Sequence, residues 1–239
     1  MQSRCQPLLA CLGELGEAGI VPSMTGKIFL TIGLAGMLCA CSSSPSGSSA
    51  PPAEKPAPKP TESETGRVAL QRLYTTSRGW APDTQPISIQ SQNYKNAGGN
   101  PDAPLGHDGK SAVWRGLFGS RSRQSMKTYM WSGLTGPDAP NPGINPGSED
   151  SFSANNTSTT PFDLVYLKID SDKALETAQK HGGAALLKKD PDMPVNFGLN
   201  WEPRRQMLTW HVNYGKNSNE PDIGVVVNAT TGDFVRVEK

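Results

Sequence analysis

The stretch "VNFGLNWEPRRQMLTWHVNY", residues 195–214, contains two runs in which every second residue is large and apolar. These residues are Val195, Phe197, Leu199 and Trp201 in the first run and Leu208, Trp210, Val212 and Tyr214 in the second. A strict period of two is typical of a β-strand that has one buried face and one face in water. With Arg204 and Arg205 in the connecting turn, the stretch predicts an antiparallel hairpin.

The segments around this hairpin predict one helix and further strands. Ser171 can cap a helix with Ala174 and Leu175 on one face, and the sequence His181-Gly182-Gly183 predicts the end of that helix. Strands are predicted at residues 162–169, 223–227 and 234–237, with a turn at Thr231-Gly232-Asp233. Residues 162–239 are therefore expected to form an α+β unit in which one helix packs on an antiparallel sheet.

Residues 65–135 follow a similar plan. A helical stretch at residues 67–80 is followed by three strand-like segments, "PISIQS", "SAVWRGLF" and "SMKTYMWSG". Trp114 and Trp131 correspond in this pattern to Trp201 and Trp210, so the chain is expected to hold two such units in tandem. Residues 136–161, between the two units, are rich in Gly, Pro and Asn and predict a disordered loop.

The segment 24–40 has the features of an export signal. Lys27 precedes an apolar run of roughly 20 Å as a helix, which is too short to cross the ~30 Å hydrocarbon core of a membrane. The sequence Leu38-Cys39-Ala40-Cys41 resembles the bacterial lipobox, which implies cleavage before Cys41 and attachment of lipid to its thiol. The alternative is an ordinary secretory signal cut near Ala40. Ser42 in place of the aspartate that retains lipoproteins at the inner membrane favours the outer membrane, facing the periplasm, in a cell with two membranes.

The segments on either side of the signal have different origins. Residues 1–23 have no role in such a signal and are interpreted as an upstream mis-start, with Met24 as the initiator. Residues 41–64 are Ser, Pro, Ala and Lys with almost nothing large and apolar, so they cannot form a core and predict a disordered tether. A proline-rich ligand for an aromatic groove is the alternative interpretation of that segment.

The composition argues against several classes of site. The net charge of +1 gives no drive toward nucleic acid, and all four cysteines lie within the first 41 residues. A disulfide framework, a thiolate zinc site and a cysteine nucleophile are thereby excluded from the rest of the chain. His107, His181 and His211 lack a metal-binding spacing, and we expect no metal, no cofactor and no catalytic residue. His181 is interpreted as a cation at a helix end, and His211 as a surface side chain or a partner of Asp222.

One segment is a candidate binding site. "WRGLFGSRSRQSMK", residues 114–127, places cations beside aromatic rings in a predicted hairpin. The candidate residues are Trp114, Arg115, Arg121, Arg123 and Lys127, with His211 as a further candidate on the polar side of its strand. Such a patch can bind phosphate, an anionic glycan or an acidic protein surface. The alternative is a solvated turn carrying two core aromatic residues.

The second half also resembles a known family. The helix "DKALETAQKHGG", the strand "MLTWHVNYG" and the end "VVVNATTGDFVRVE" look like a PepSY domain over residues 170–239. Ala229, Thr231, Gly232 and Val235 match the family's final motif, and Asn228 stands where the family usually has Asp. The resemblance implies a non-enzymatic fold that acts in protein interaction at the bacterial envelope, including inhibition or chaperoning of peptidases.

The sequence thus predicts a membrane-anchored, non-catalytic envelope lipoprotein. Its expected partner is another protein, a peptidase or an assembly partner, bound through the sheet, and no nucleic acid. Two alternatives stay open: a binding module for an envelope glycan or small anionic ligand through the hairpin 114–127, and a hydrolase with an unrecognised site.

Overall fold

The computed structural model describes residues 61–94, 103–136, 139–216 and 221–238. The predicted mis-start, the signal, Cys41 and most of the tether lie outside the described residues. The domain begins slightly before Thr65, because the backbone N–H of Glu62 donates to the carbonyl of Gly133 over 2.9 Å. Strand β1 (Glu64–Thr65) then pairs with β3 (Lys110–Ser111). Glu62 and Glu64, assigned to the tether by the sequence, therefore belong to the folded domain.

The rest of the fold is a sheet with helices on one side. The first half comprises α1 (Gly66–Trp80), β2 (Gln85–Ser91), β4 (Val113–Ser120), β5 (Ser125–Ser132) and β6 (Gly143–Ser151). The second half comprises α2 (Ser171–Ala178), α3 (Ala184–Lys189), β7 (Val195–Glu202), β8 (Met207–Tyr214), β9 (Ile223–Asn228) and β10 (Phe234–Glu238). The fold is α+β and dominated by the sheet, as the alternating patterns predict.

The two halves share one antiparallel sheet of eight strands. Its order is β10-β9-β8-β7-β2-β4-β5-β6, so the first long strand of each half meets the other at the centre. There Ile89 of β2 lies opposite Leu199 of β7. From this central pair the strands of each half run outward in chain order, and the short β1–β3 pair forms a separate two-stranded sheet.

Helices α1 and α2 pack on the same face of the sheet. Ala69, Leu70 and Leu73 of α1 are buried in the same apolar cluster as Ala174 and Leu175 of α2. Three rings form the centre of this cluster, with Trp114 at 6.2 Å from Phe197 and 6.5 Å from Trp210 between ring centroids. Burying side chains of this size stabilises the fold by roughly 1.5–3 kcal/mol each.

The helix in the second half differs from its prediction at both ends. Asp170 is its cap, because the Asp170 carboxylate accepts from the Ser171 N–H, whereas the Ser171 hydroxyl bonds outside the helix. At the other end α2 stops at Ala178, but a wide turn through Gly182, with a φ of 114°, leads into α3. Helix α3 was not predicted, and its Leu186 and Leu187 pack against the core.

The segment 162–169 is not a strand, contrary to the prediction from its apolar residues. It forms a 3-10 turn at Leu164–Tyr166, in which the side chain of Asp163 accepts from the N–H of Val165. The N–H groups of Lys168 and Ile169 both donate to the carbonyl of Ala229, and the segment forms no regular strand ladder. Val165 is 64% exposed, so this apolar residue is not part of the core.

The predicted loop 136–161 contains strand β6, at the edge of the sheet. Its backbone pairs with β5 from Ser125–Ser151 to Ser132–Gly143, across an irregularity near Tyr129. An edge strand with exposed side chains needs no apolar alternation, and it tolerates proline, here Pro146. The sequence signals of a strand are therefore missing, although the backbone pairing is present.

Candidate functional site

The face of the sheet opposite the helices, called the open face below, is the main candidate site. Residues next to core residues in a strand point to this face, because side chains alternate. Among the described residues no helix packs on it, although a small apolar cluster that includes Val113 and Leu134 covers one end. The side chains that bear on its chemistry are Ser88, Gln90, Arg115, Leu117, Thr128, Asn200, Glu202, Thr209, His211, Arg236 and Glu238.

A row of four residues crosses the middle of the open face. The strand register places Arg115 opposite Gln90, Gln90 opposite Gly198, and Gly198 opposite His211. A Cβ atom at Gly198 would lie 3.9 Å from Gln90 Cγ and 3.9 Å from His211 Cβ, which is ordinary contact distance. The missing side chain at Gly198 therefore leaves a groove between Gln90 and His211.

A cavity adjoins this row. It has a volume of about 230 Å³ and is lined by Ser88, Gln90, Arg115, Leu117 and Thr128. Arg115 and Gln90 are exposed to solvent, whereas the other three are partly buried. Its walls thus combine one cation with hydroxyl and amide groups and a single apolar side chain.

His211 belongs to a network of charged groups on the open face. Its Nδ1 lies 3.2 Å from Glu238 Oε2, and Arg236 bonds to both Glu238 and Glu202. Burial opposes ionisation of Glu238, but Arg236 and His211 outweigh it, so its pKa lies below the ordinary value. The suggested partner Asp222 is wrong, because Asp222 lies beyond the end of β8, where its N–H donates to Tyr214.

The contacts from Thr209 through His211 to Glu238 have the order of a nucleophile, a base and an orienting acid. Thr209 Oγ1 lies 3.3 Å from His211 Nε2. Thr209 is fully buried, however, and its hydroxyl also lies 3.3 Å from the carbonyl of Asn200, to which it donates. A catalytic hydroxyl must be presented to substrate and must give its proton to the base. The burial of Thr209 keeps its hydroxyl from being presented to substrate.

The aromatic residues of the hairpin 114–127 are core residues. Trp114 is fully buried, and its Nε1 donates to the carbonyl of Glu64 over 2.9 Å. Phe118 is also fully buried and lies 5.9 Å from the ring of Tyr129. Trp114 is therefore corrected from a candidate binding residue to a core residue.

The cations of the same hairpin do not form one patch. Arg123 lies over the ring of Trp80 at 5.3 Å, and Lys127 Nζ is 3.2 Å from Glu149 Oε1. The bond from Lys127 is the main cause that lowers the pKa of Glu149. Lys127 points to the helix side of the sheet, because the register pairs it with the core residue Phe118. Arg115 points to the other side, which is the open face. The alternation of side chains along β4 and β5 therefore separates Arg115 from Arg123 and Lys127, which share contacts with Trp80 and Glu149.

Arg121 lies apart from the other cations, in the exposed turn between β4 and β5. It lines a second cavity of about 520 Å³ together with Gln124, Phe152 and Asn155, among others. Arg121 is the cation of the predicted basic patch that lines this recess.

The other two histidines have structural contacts. The ring of His181 stacks on Phe234 with 3.9 Å between centroids, and His107 Nε2 lies 2.7 Å from the carbonyl of Met193. Within the described ranges, no three or more His, Cys, Asp or Glu side chains group closely enough to hold a metal ion. No helix in those ranges is long and apolar enough to cross a membrane.

The sequence did not identify Ser88, Gln90 or Gly198 as site residues. Ser88 and Gln90 are neutral, and Gly198 contributes by having no side chain. The alternation around Ile89 and Leu199 was the available signal, because it places all three on the polar side of their strands. Alternation could not predict the pairing of β2 with β7, which brings these three residues together.

Comparison with known proteins gives one structural likeness. No protein-family model and no curated protein matches the chain, so the PepSY resemblance stays a prediction. A crystal structure of a protein from Clostridium difficile 630, described as a "putative lipoprotein", is similar over 71% of this chain and 91% of that chain. The sequence identity is 12% and the TM-score is 0.44. A likeness at this level establishes neither a shared family nor a shared function.

Proposed function

We propose that the chain is a bacterial envelope lipoprotein that binds another protein, non-catalytically, through its open face. The observation that carries the proposal is the groove and cavity on a sheet face that no described helix covers. Exposed Arg115 and Gln90 stand beside that groove, in a chain whose residues 24–40 have the features of an export signal. Exposed sheet faces with arginine and amide groups are suited to protein contacts.

The anchor in this proposal is lipid on Cys41. Two or more acyl chains hold a protein stably on a membrane, whereas one chain is marginal. The segment from Ser42 to Thr61 would reach roughly 60 Å if extended as polyproline II at about 3.1 Å per residue. That reach lets the domain meet a partner away from the membrane surface. Ser42 supports an outer-membrane location facing the periplasm.

The finer part of the proposal is that the halves are two PepSY-like units. Each half has helical structure followed by four strands of the eight-stranded sheet in meander order, which supports a tandem origin. Asn228, at the position where the family has Asp, accepts from the N–H groups of Thr230 and Thr231 over 2.8 and 3.2 Å. An aspartate makes the same turn contacts, so the difference at Asn228 preserves the local structure.

Non-catalytic binding is preferred to hydrolysis for one reason. The Thr209 hydroxyl, the nearest candidate nucleophile to His211, is buried and donates to a backbone carbonyl. This contact supports a structural role for the arrangement of Thr209, His211 and Glu238.

Photo-crosslinking in the source organism tests the proposed face. A photoreactive side chain is introduced separately at Gln90 and Asn200 on the open face, and at Thr76 on the exposed side of α1 as the control. We expect both open-face positions to give adducts with the same protein and Thr76 to give none. The proposal fails if the open-face positions give no adduct, or if Thr76 gives the same one.

A second candidate function rests on the cavity beside Arg121. A volume of about 520 Å³ is in the range of small-ligand sites, roughly 300–1,000 Å³. Such a site would take an anionic glycan or a small anionic ligand. Retention of the protein on isolated cell wall, lost in Arg121→Ala and kept in Arg115→Ala, would favour this function over binding at the open face.

A further inference from the structure

The backbone at Arg115 is fixed by strand pairing, but the charge of its side chain has no partner among the described residues. Its strand pairs on both sides, with Gln90 of β2 opposite it on one side and Met130 of β5 on the other. The side chain is exposed and makes no hydrogen bond or ion pair with any residue that the structure describes. By contrast, the guanidinium of Arg236 on the same face bonds to Glu202 and Glu238. Those two acids are therefore committed to Arg236 and leave Arg115 without a counter-charge.

The cavity beside Arg115 limits the size of what it can receive. Its volume of about 230 Å³ is below the roughly 300–1,000 Å³ of typical small-molecule sites. It can admit a side chain from a larger molecule that covers the open face. The cavity lies on β2, β4 and β5, beside the central β2–β7 pair. A partner that covered the open face would place this cavity near the middle of the contact, where anchoring contacts concentrate.

The groups around the cavity fit one kind of anion. Guanidinium donates two parallel bonds to a carboxylate, and the hydroxyls of Ser88 and Thr128 and the amide of Gln90 can donate to the remaining lone pairs. Arg115 is the single cation among the residues that line the cavity. One positive charge with neutral donors balances a carboxylate better than a doubly charged phosphate.

We infer that the cavity at Arg115 receives an Asp or Glu side chain of the protein that binds the open face. This inference rests on the proposed function and names the chemistry of the partner at one position. A carboxylate held by Arg115 is a desolvated ion pair at the centre of the contact, so its loss weakens binding through faster dissociation.

The chemical test is an NMR titration of the full mature chain. The probes are two capped tripeptides, Gly-Glu-Gly and Gly-Gln-Gly, which differ by a single carboxylate. We expect the glutamate peptide to shift the Arg115 Nε–H signal and the backbone signals of Ser88 and Gln90 saturably at millimolar concentration. The glutamine peptide should bind at least tenfold more weakly. Arg115→Gln should abolish the response, and Arg121→Gln, the matched exposed arginine, should keep it.

Three results overturn the inference. These are equal shifts with the glutamine peptide, an unchanged response in Arg115→Gln, and no saturable shift with the glutamate peptide. Inorganic phosphate and a uronate oligosaccharide are titrated in parallel. If either binds at this cavity more tightly than the glutamate peptide, the ligand is a phosphate or a glycan and the inference is wrong.

The crosslinking experiment separates this inference from the proposed function. In Arg115→Gln we expect the adduct formed from Asn200 to fall at least tenfold, and in Arg121→Gln to stay unchanged. If the adduct persists at full yield in Arg115→Gln, the protein partner stands and the carboxylate site is wrong. If the unsubstituted chain gives no adduct, the proposed function is wrong, whatever the peptides do.

Discussion

The carboxylate of Asp170 accepts a hydrogen bond of 2.9 Å from the backbone N–H of Arg67, a residue 103 positions earlier. The same oxygen accepts from the N–H of Ser171 over 2.7 Å. The Ser171 hydroxyl in turn accepts from Gly66 and donates to the carbonyl of Gly109. One acidic side chain therefore accepts from an N–H in the first turn of both α1 and α2, and it ties the two halves of the domain together.

We expect Asp170→Ala to destabilise the domain by about 1–3 kcal/mol. Loss of one N-cap costs about 0.5–2 kcal/mol, and here two helices lose a partner. Chemical denaturation followed by circular dichroism measures the change. Asp163→Ala is the control, because Asp163 caps the short exposed turn at Leu164–Tyr166. Equal losses in the two variants would contradict the shared cap.

Replacing two glycines of α1 by alanine should change the stability of the domain in opposite directions. A Cβ at Gly66 would lie 2.4 Å from the ring of Trp210, whereas a Cβ at Gly79 meets nothing within 4 Å. Gly66→Ala should therefore cost about 1–3 kcal/mol through overpacking. Gly79→Ala should gain roughly 0.5–1 kcal/mol, since alanine favours a helix more than glycine does. Thermal and urea unfolding of the two variants give the sign directly.

The contacts between Asp83 and the turn that joins β4 to β5 should make the stability of the domain depend on pH. The Ser120 hydroxyl and the N–H of Ser122 bond to the Asp83 carboxylate and lower its pKa from 3.8 to about 2. A depressed pKa in the folded state contributes stability above the ordinary value, and that stability is lost as the pH falls from about 4 to about 2. Asp83→Asn removes this titration.

The measurement is the free energy of unfolding against pH for the unsubstituted chain and Asp83→Asn. We expect the difference between them to be largest above pH 4 and to shrink as the pH approaches 2. A difference that is constant over this range would show that Asp83 does not act through its charge.

The lipid anchor should depend on a single thiol. In Cys41→Ser we expect the protein to leave the membrane fraction, because no acyl chain can be attached. Cys39→Ser is the control and should leave fractionation unchanged. Mass spectrometry of the mature amino terminus checks the site, and membrane retention of Cys41→Ser would contradict the lipobox interpretation.

The sequence predicted the strands whose side chains alternate and missed those that depend on the backbone alone. Leu199 and Trp210 are buried as their spacing predicts. Strand β6 has no such spacing, because an edge strand with exposed side chains leaves no apolar pattern. The segment 162–169 shows the reverse error, since its apolar residues include Val165, which is exposed.

The candidate site followed from local pattern in part. Trp114 and Arg115 are neighbours in a strand, so the period of two already implies that a buried Trp114 sends Arg115 to the other face. The pairing of Gln90 with Gly198 joins residues more than a hundred positions apart. No local pattern specifies that pair, because each half presents several strands of similar character.

The central β2–β7 pair also bears on the order in which the chain can fold as it is synthesised. Strand β2 is synthesised long before β7. One edge of β2 therefore stays unpaired until residues 198–200 have been made. An unpaired strand edge attracts other chains, and late pairing of distant strands slows folding. A chain cut short before β7 would keep that edge permanently, and its fate would be aggregation or proteolysis.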